Sequence, residues 1–178
     1  MKIIVEITDE TFEKKSISFH NPTIRNGARG IVEREDGLIA ILNKTNKNEY
    51  KLPGGGIEHN ETPEEAFKRE VLEETGCEIA NITLLGITKE LKSLDNFQQI
   101  SYVFYAKVKK INYNLNLTQK EKEEGAKLIW LSKEEAFTKI SECEKTLKES
   151  KYENLYHSKF INYRDKEIMK YYISNFSI

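Results

Sequence analysis

The sequence has little of what several protein classes require. Its two cysteines, Cys77 and Cys143, form no CxxC pair, so a disulfide scaffold and a thiolate zinc site both lack support and reduced thiols are expected. The three histidines, His20, His59 and His157, are isolated from one another. That excludes a helical His pair for zinc and assigns them structural or surface roles. No apolar run approaches the roughly 18 to 20 residues of a membrane span, and Met1 to Glu6 lacks the apolar region of a signal peptide; the expected location is the cytoplasm, with no membrane partner. Charge of one sign is also missing. With 28 basic and 29 acidic residues there is no basic stripe, so polymeric nucleic acid is not an expected partner. Repeats and low-complexity linkers are absent as well.

What is present suits one soluble domain of 178 residues, with 18 aromatics and enough apolar material for a core. Alternating apolar residues in Lys2 to Thr8 and Ser16 to Phe19 predict two strands, an accessory N-terminal hairpin ending near Asn21-Pro22. Ala28 to Arg34 and Leu38 to Asn43 are β-rich runs joined through Asp36-Gly37, a strong hairpin signal, and should pair antiparallel. Three successive glycines, Gly54 to Gly56, make a regular strand or helix improbable and predict a loop. Thr62-Pro63-Glu64-Glu65 then announces a helix, with an N-cap, a proline in the first turn and a glutamate to complete a capping box; Gly76 ends it. Ile79 to Glu90 and Ile100 to Val108 read as further strands, and Ser132-Lys133-Glu134-Glu135 repeats the capping pattern before a second helix. In the charged tail from Ser141, the spacing of Phe160, Ile161, Ile168, Tyr171, Tyr172 and Ile173 predicts a last helix docking on the body. Its aromatic end leaves a homodimer open.

The segment Gly55 to Cys77 carries chemistry. At about 100° per residue, Glu70, Glu73 and Glu74 fall within one arc roughly 100° wide, while Phe67, Val71, Thr75 and Leu72 occupy the neighbouring arc. One face is acidic and the other can bury. Most charge runs are merely solvated helix faces. Here, however, like charges at i,i+4 repel by about 0.2 to 0.5 kcal/mol per pair, and an ordinary surface helix would intersperse lysines to relieve them. Something cationic is expected, and carboxylate oxygens suit magnesium or manganese, which bridge readily to phosphates. Seven acids against two bases in this stretch would repel a phosphate unless a metal intervened.

The spacing Gly55, five residues, Glu61, seven residues, then Arg69-Glu70-Val71-Leu72-Glu73-Glu74-Thr75-Gly76-Cys77 resembles the signature of the Nudix family, in the MutT-like sense, at every fixed position. Cys77 in the closing apolar place is the one unusual choice. The likeness extends more weakly from Ile24 to about Lys139. It implies an α+β fold, an α/β/α sandwich with a mixed β-sheet, here with N-terminal accessory strands and a C-terminal helix. Within a single domain 1–178, residues 1–23 are then the accessory hairpin, 24–140 the core and 141–178 a C-terminal helical extension.

By position, the resemblance makes Glu70, Glu73 and Glu74 ligands of Mg2+ or Mn2+, with the Gly55 carbonyl as a further ligand. Arg69 braces against Glu61 to orient them. The reaction implied is attack of water on a phosphorus of a diphosphate, in a nucleoside diphosphate linked to another group; nucleoside triphosphates or damaged forms are the default small-molecule substrates. Glu121, Glu123 and Glu124 are candidates for an acid on a later loop, and Glu124 is taken as general base and additional ligand. Arg29 and Lys51 are assigned to phosphate, and Tyr50 to stacking on a base. Some ADP-ribose and nucleotide-sugar pyrophosphatases carry a proline shortly after the motif; this chain has only Pro22, Pro53 and Pro63, which weighs against that alternative. A catalytically silent nucleotide-binding module is the alternative of another class, disfavoured by the intact glutamates.

Overall fold

The computed structural model describes residues 1–112 and 114–176. Among the described residues, eight strands form one mixed sheet: β1 (Ile3–Thr8), β2 (Thr23–Glu33), β3 (Ile39–Lys44), β4 (Glu49–Lys51), β5 (Gly54–Gly56), β6 (Cys77–Lys92), β7 (Phe97–Ile111) and β8 (Ala126–Leu131). The order is β1-β6-β7-β2-β3-β4, with β5 also on β2 and β8 also on β3. β1 runs parallel to β6 and β2 parallel to β7, and the remaining pairs are antiparallel. Among the described residues, four α-helices complete the fold: α1 (Pro63–Thr75), α2 (Gln119–Glu123), α3 (Lys133–Cys143) and α4 (Leu155–Phe176).

Strand alternation divides the interior into two layers. Ala28 and Val32 of β2 pack with Phe67 and Val71 of α1 on one face. Ile31, between them, packs on the other face with Ile140 of α3 and Ile168 and Met169 of α4. This is the expected α/β/α arrangement. The predicted capping boxes are made: Thr62 Oγ1 accepts from the Glu65 amide while the Glu65 carboxylate accepts from the Thr62 amide, and Ser132 and Glu135 repeat the exchange at α3. Gly76 terminates α1 in the left-handed region at φ 67°. Leu72, assigned to the burying arc, is 42% exposed, because it lies at the arc's outer edge, away from the sheet.

The N-terminal hairpin does not form. β1 joins the edge of the main sheet, and residues 16–19 are not a strand. The backbone donors there go to side chains: Ser16 N–H to the Glu10 carboxylate and Ile17 N–H to Ser93 Oγ. The segment between β1 and β2 packs instead on the last helix. Phe12 meets Phe160 at 4.9 Å between ring centres, and the Tyr156 hydroxyl donates to Asp9 at 2.7 Å across 147 residues of sequence. The last helix docks as its spacing predicts, with Phe160, Ile168 and Tyr172 buried.

Candidate active site

β2 and β3 pair only at Glu33 and Ile39; further along, β2 pairs with β5. A cavity of about 450 Å³ occupies the divergence, lined by residues from β2, β4, β5, α1, the α2 segment and α4. The glycine run that builds its floor is a short strand rather than a loop. Gly54, at φ 136°, lies so close to β2 that a Cβ would come within 2.5 Å of Arg29 Cα; absence of side chains is what allows the pairing.

On α1 the acidic arc faces this floor unequally. The Glu70 side chain, 15% exposed, is pressed against Gly55, where a Cβ would come within 2.5 Å of Oε2. Glu74 is buried at the base of the cavity, accepting from the Gly54 amide at 2.7 Å and Lys51 Nζ at 3.1 Å. Burial pushes its carboxyl up to about 7 against the pull of those two partners. Glu73 stands at the outer rim with its side chain 34% exposed, 3.4 Å from Arg69 Nη1, and burial raises its carboxyl as well. Arg69 holds the group together. Its Nε and Nη2 meet the two Glu61 oxygens at 2.9 and 3.0 Å, Nη1 reaches Glu70 at 2.9 Å, and Nη2 also donates to the Gly56 carbonyl at 2.9 Å. Helix and glycine strand are thus tied by one guanidinium, in the bidentate geometry that only arginine offers.

Arg29 and Lys51 line the cavity. Tyr50 does not: alternation along β4 sends it to the opposite face, against the α3 and α4 layer, while its neighbours Glu49 and Lys51 face the cavity. Glu124 does not line the cavity either. It is the C-cap residue of α2, and its carboxylate turns to Lys44 Nζ at 2.7 Å and Ser150 Oγ at 2.7 Å, beside a separate smaller hollow. Glu121, three residues earlier, is the acid of that segment which lines the main cavity. Hydrogen bonds from Thr118 hold it below the ordinary carboxylate range although burial works in the other direction. The sequence reading also missed Arg25, Lys44, Lys92 and Arg164 on the cavity wall, and took as merely structural His157, which lines it and lies 2.5 Å from Asp95. For Arg164 a signal was available: Arg164-Asp165 fall inside the stripe of Phe160, Ile161 and Ile168, where an ordinary docking helix carries apolar residues.

Among the described residues no three carboxylate, imidazole or thiol groups already converge as a coordination sphere. The donors nonetheless suit a hard divalent cation. The Glu70 carboxylate lies against Gly55, Glu74 shares the same cavity, and the charges of Glu70 and Glu121 help to raise the Glu74 carboxyl. A cation between such groups relieves their repulsion.

A family model described as the NUDIX domain matches residues 23–169, and the chain belongs to the Nudix family. Similar curated proteins include a MutT-like protein from Streptomyces ambofaciens, 42% identical over 60 residues, covering 34% of this chain and 39% of that protein. An RNA pyrophosphohydrolase from Halorhodospira halophila is 39% identical over 59 residues, 33% of each chain. An ADP-ribose pyrophosphatase from Methanocaldococcus jannaschii is 43% identical over 60 residues, 33% of this chain and 36% of that protein. These matches therefore span well under half the length of those relatives. Among solved structures, a NUDIX hydrolase from Nitrosomonas europaea aligns with a TM-score of 0.56 at 19% identity, covering 80% of this chain and 89% of that one. A MutT NUDIX hydrolase from Burkholderia pseudomallei aligns at 0.50 and 20% identity, over 63% and 85%. Both share the fold. No described helix is long and apolar enough to cross a membrane.

Proposed function

We propose that this protein is a magnesium- or manganese-dependent hydrolase that cleaves the diphosphate linkage of a nucleoside diphosphate joined to another group, with nucleoside triphosphates or their damaged forms as substrates. The observation that carries the reading is the approach of Glu70 to Gly55, above a buried Glu74, in a cavity whose other walls present Arg29 and Lys51. Family membership supports it, since Nudix proteins generally use a divalent metal.

In this reading Glu70, Glu74 and the Gly55 carbonyl hold the cation, with Glu73 contributing from the rim. When bound, the cation supplies an activated water and neutralises charge on phosphoryl oxygens. The chain's own groups do the rest. Arg69 keeps Glu61, Glu70 and the Gly56 carbonyl in register, so the oxygens are positioned before substrate arrives. Arg29 and Lys51 place positive charge against the phosphates. Glu121 of α2, ionised at neutral pH and lining the cavity, would accept a proton from water.

The test is a nucleotide panel with magnesium, scored by release of phosphate, pyrophosphate or nucleoside monophosphate, with oxygen-18 water locating the broken bond. Cleavage at a diphosphate that is lost in Glu70→Gln is expected. Binding without turnover of any member would instead identify a silent nucleotide-binding module.

A further inference from the structure

Arg164 belongs to the C-terminal helix, is 1% exposed and lies on the cavity wall. Its Nη1 donates to Glu90 at 2.7 Å and its Nε to Asp165 at 2.8 Å, but Nη2 has no hydrogen-bond partner among the described residues. A guanidinium has five donors, two of them on Nη2, and leaving both of those unmade in a buried setting is costly. Beside it on the same wall stands Arg29, 5% exposed, whose polar contact is Ser101 Oγ at 3.3 Å and which forms no ion pair among the described residues. Both guanidiniums line the same cavity, and burial and then the positive charge of Arg164 bring the Arg29 guanidinium down to about 10. Lys92, 2% exposed, pairs with Glu90. Counting the neighbouring Glu74 with its partner Lys51, this buried end carries four cations, Arg29, Lys51, Lys92 and Arg164, against three anions, Glu74, Glu90 and Asp165. Glu90 anchors Arg164 to β6, and Asp165 accepts from the Leu52 amide at 2.9 Å. Those anchoring contacts would satisfy a structural arginine; they do not call for a second, unpaired one beside it. Buried positive charge in excess, with a spare donor, is the arrangement an incoming anion completes.

We infer that the α4 end of the cavity is a second anion subsite, in which Arg164 Nη2 and the Arg29 guanidinium take the terminal phosphate of a substrate's polyphosphate chain, beyond the linkage being cleaved. This rests on the reading that the cavity binds a diphosphate substrate, and it sharpens that reading: nucleoside triphosphates are preferred over diphosphates ending in a neutral sugar.

Inorganic tripolyphosphate, titrated calorimetrically into metal-free protein in chelator, tests the subsite without turnover. Wild type should bind, and Arg164→Lys and Arg29→Met should each bind about tenfold or more weakly, as expected for one lost charge-assisted contact. Tripolyphosphate should also raise the unfolding temperature of wild type more than that of either variant. Arg29→Met breaks no ion pair and decides the matter should Arg164→Lys fail to fold. With magnesium, Arg164→Lys should raise KM for a nucleoside triphosphate by a similar factor, sparing kcat and the KM for a nucleoside diphosphate sugar. Wild type that does not bind tripolyphosphate, or folded variants that bind it as tightly as wild type, would overturn the subsite. Loss of tripolyphosphate binding in the variants, together with no nucleotide turnover by wild type, would uphold the subsite and sink the hydrolase reading alone.

Discussion

Gly55 and Glu70 lie so close that the glycine's missing side chain is the space the carboxylate occupies. Gly55→Ala should therefore act on chemistry more than on folding, because the obstructed atoms are the flexible end of a glutamate. Metal affinity, followed by manganese titration, is expected to fall by about 10- to 100-fold, as when ligand positioning is disturbed, with the melting temperature little changed. Unaltered manganese affinity would remove Gly55 and Glu70 from the metal site.

Gly54→Ala should do the reverse. Its added Cβ meets β2 backbone and its φ of 136° is outside the range of L-residues, so the β5 pairing must open. A loss of at least about 1 to 3 kcal/mol of stability is expected by denaturant unfolding. A variant as stable as wild type would show that the floor tolerates a side chain.

Arg69→Lys keeps the charge but cannot hold two Glu61 oxygens and the Gly56 carbonyl together. We expect kcat/KM to fall by about 10- to 100-fold, with part of the loss recovered by raising magnesium. A lysine variant with wild-type kinetics would reduce the brace to a surface ion pair.

Glu121→Gln and Glu124→Gln separate two neighbouring acids. The first should lower kcat with KM nearly unchanged. The second should act through stability, because it weakens a buried contact to Lys44 and leaves that ammonium without its nearest carboxylate. A Glu124→Gln enzyme that is fully stable but slow would restore Glu124 as the base.

The buried Glu90 fixes a pH dependence. Burial alone would raise its carboxyl, but Arg164 and Lys92 hold it down to about 2, against an ordinary 4.5. Because the folded value is the lower one, the stabilisation is complete above about pH 4.5 and is lost as pH falls through about 2. Glu153, held at about 2 by Lys47 against the effect of burial, adds to the same window. Unfolding midpoints measured from neutral to acid pH should drop there, and Glu90→Gln should be less stable at neutral pH but show a flatter acid limb. An unchanged limb would assign the acid sensitivity elsewhere.

What could be read beforehand was what is local. Capping boxes at Thr62 and Ser132, the Asp36-Gly37 turn, the acidic arc and the partnership of Arg69 with Glu61 each depend on residues a few positions apart or on fixed motif spacing. The failures are failures of long-range information. Whether Tyr50 or its neighbours face the cavity depends on how β4 registers against β3. Glu124 was preferred to Glu121 because nothing nearby reveals that Lys44, eighty residues earlier, claims it. The strand expected at residues 16–19 lost its hydrogen bonds to Glu10 and Ser93, the latter from a distant turn. Arg164 becomes meaningful only once β6 brings Glu90 to meet it.

The clasp of Phe12 on Phe160 and of Tyr156 on Asp9 joins segments as far as 147 residues apart in sequence. The glutamate-bearing helix and its glycine floor precede in sequence the helix that carries Arg164, and that helix packs on Phe12 in the turn after β1. On the proposed reading, the residues that would grip a metal are thus encoded early and the residue that would choose among substrates late, so a nascent chain carries the first set for much of its synthesis before it gains the second.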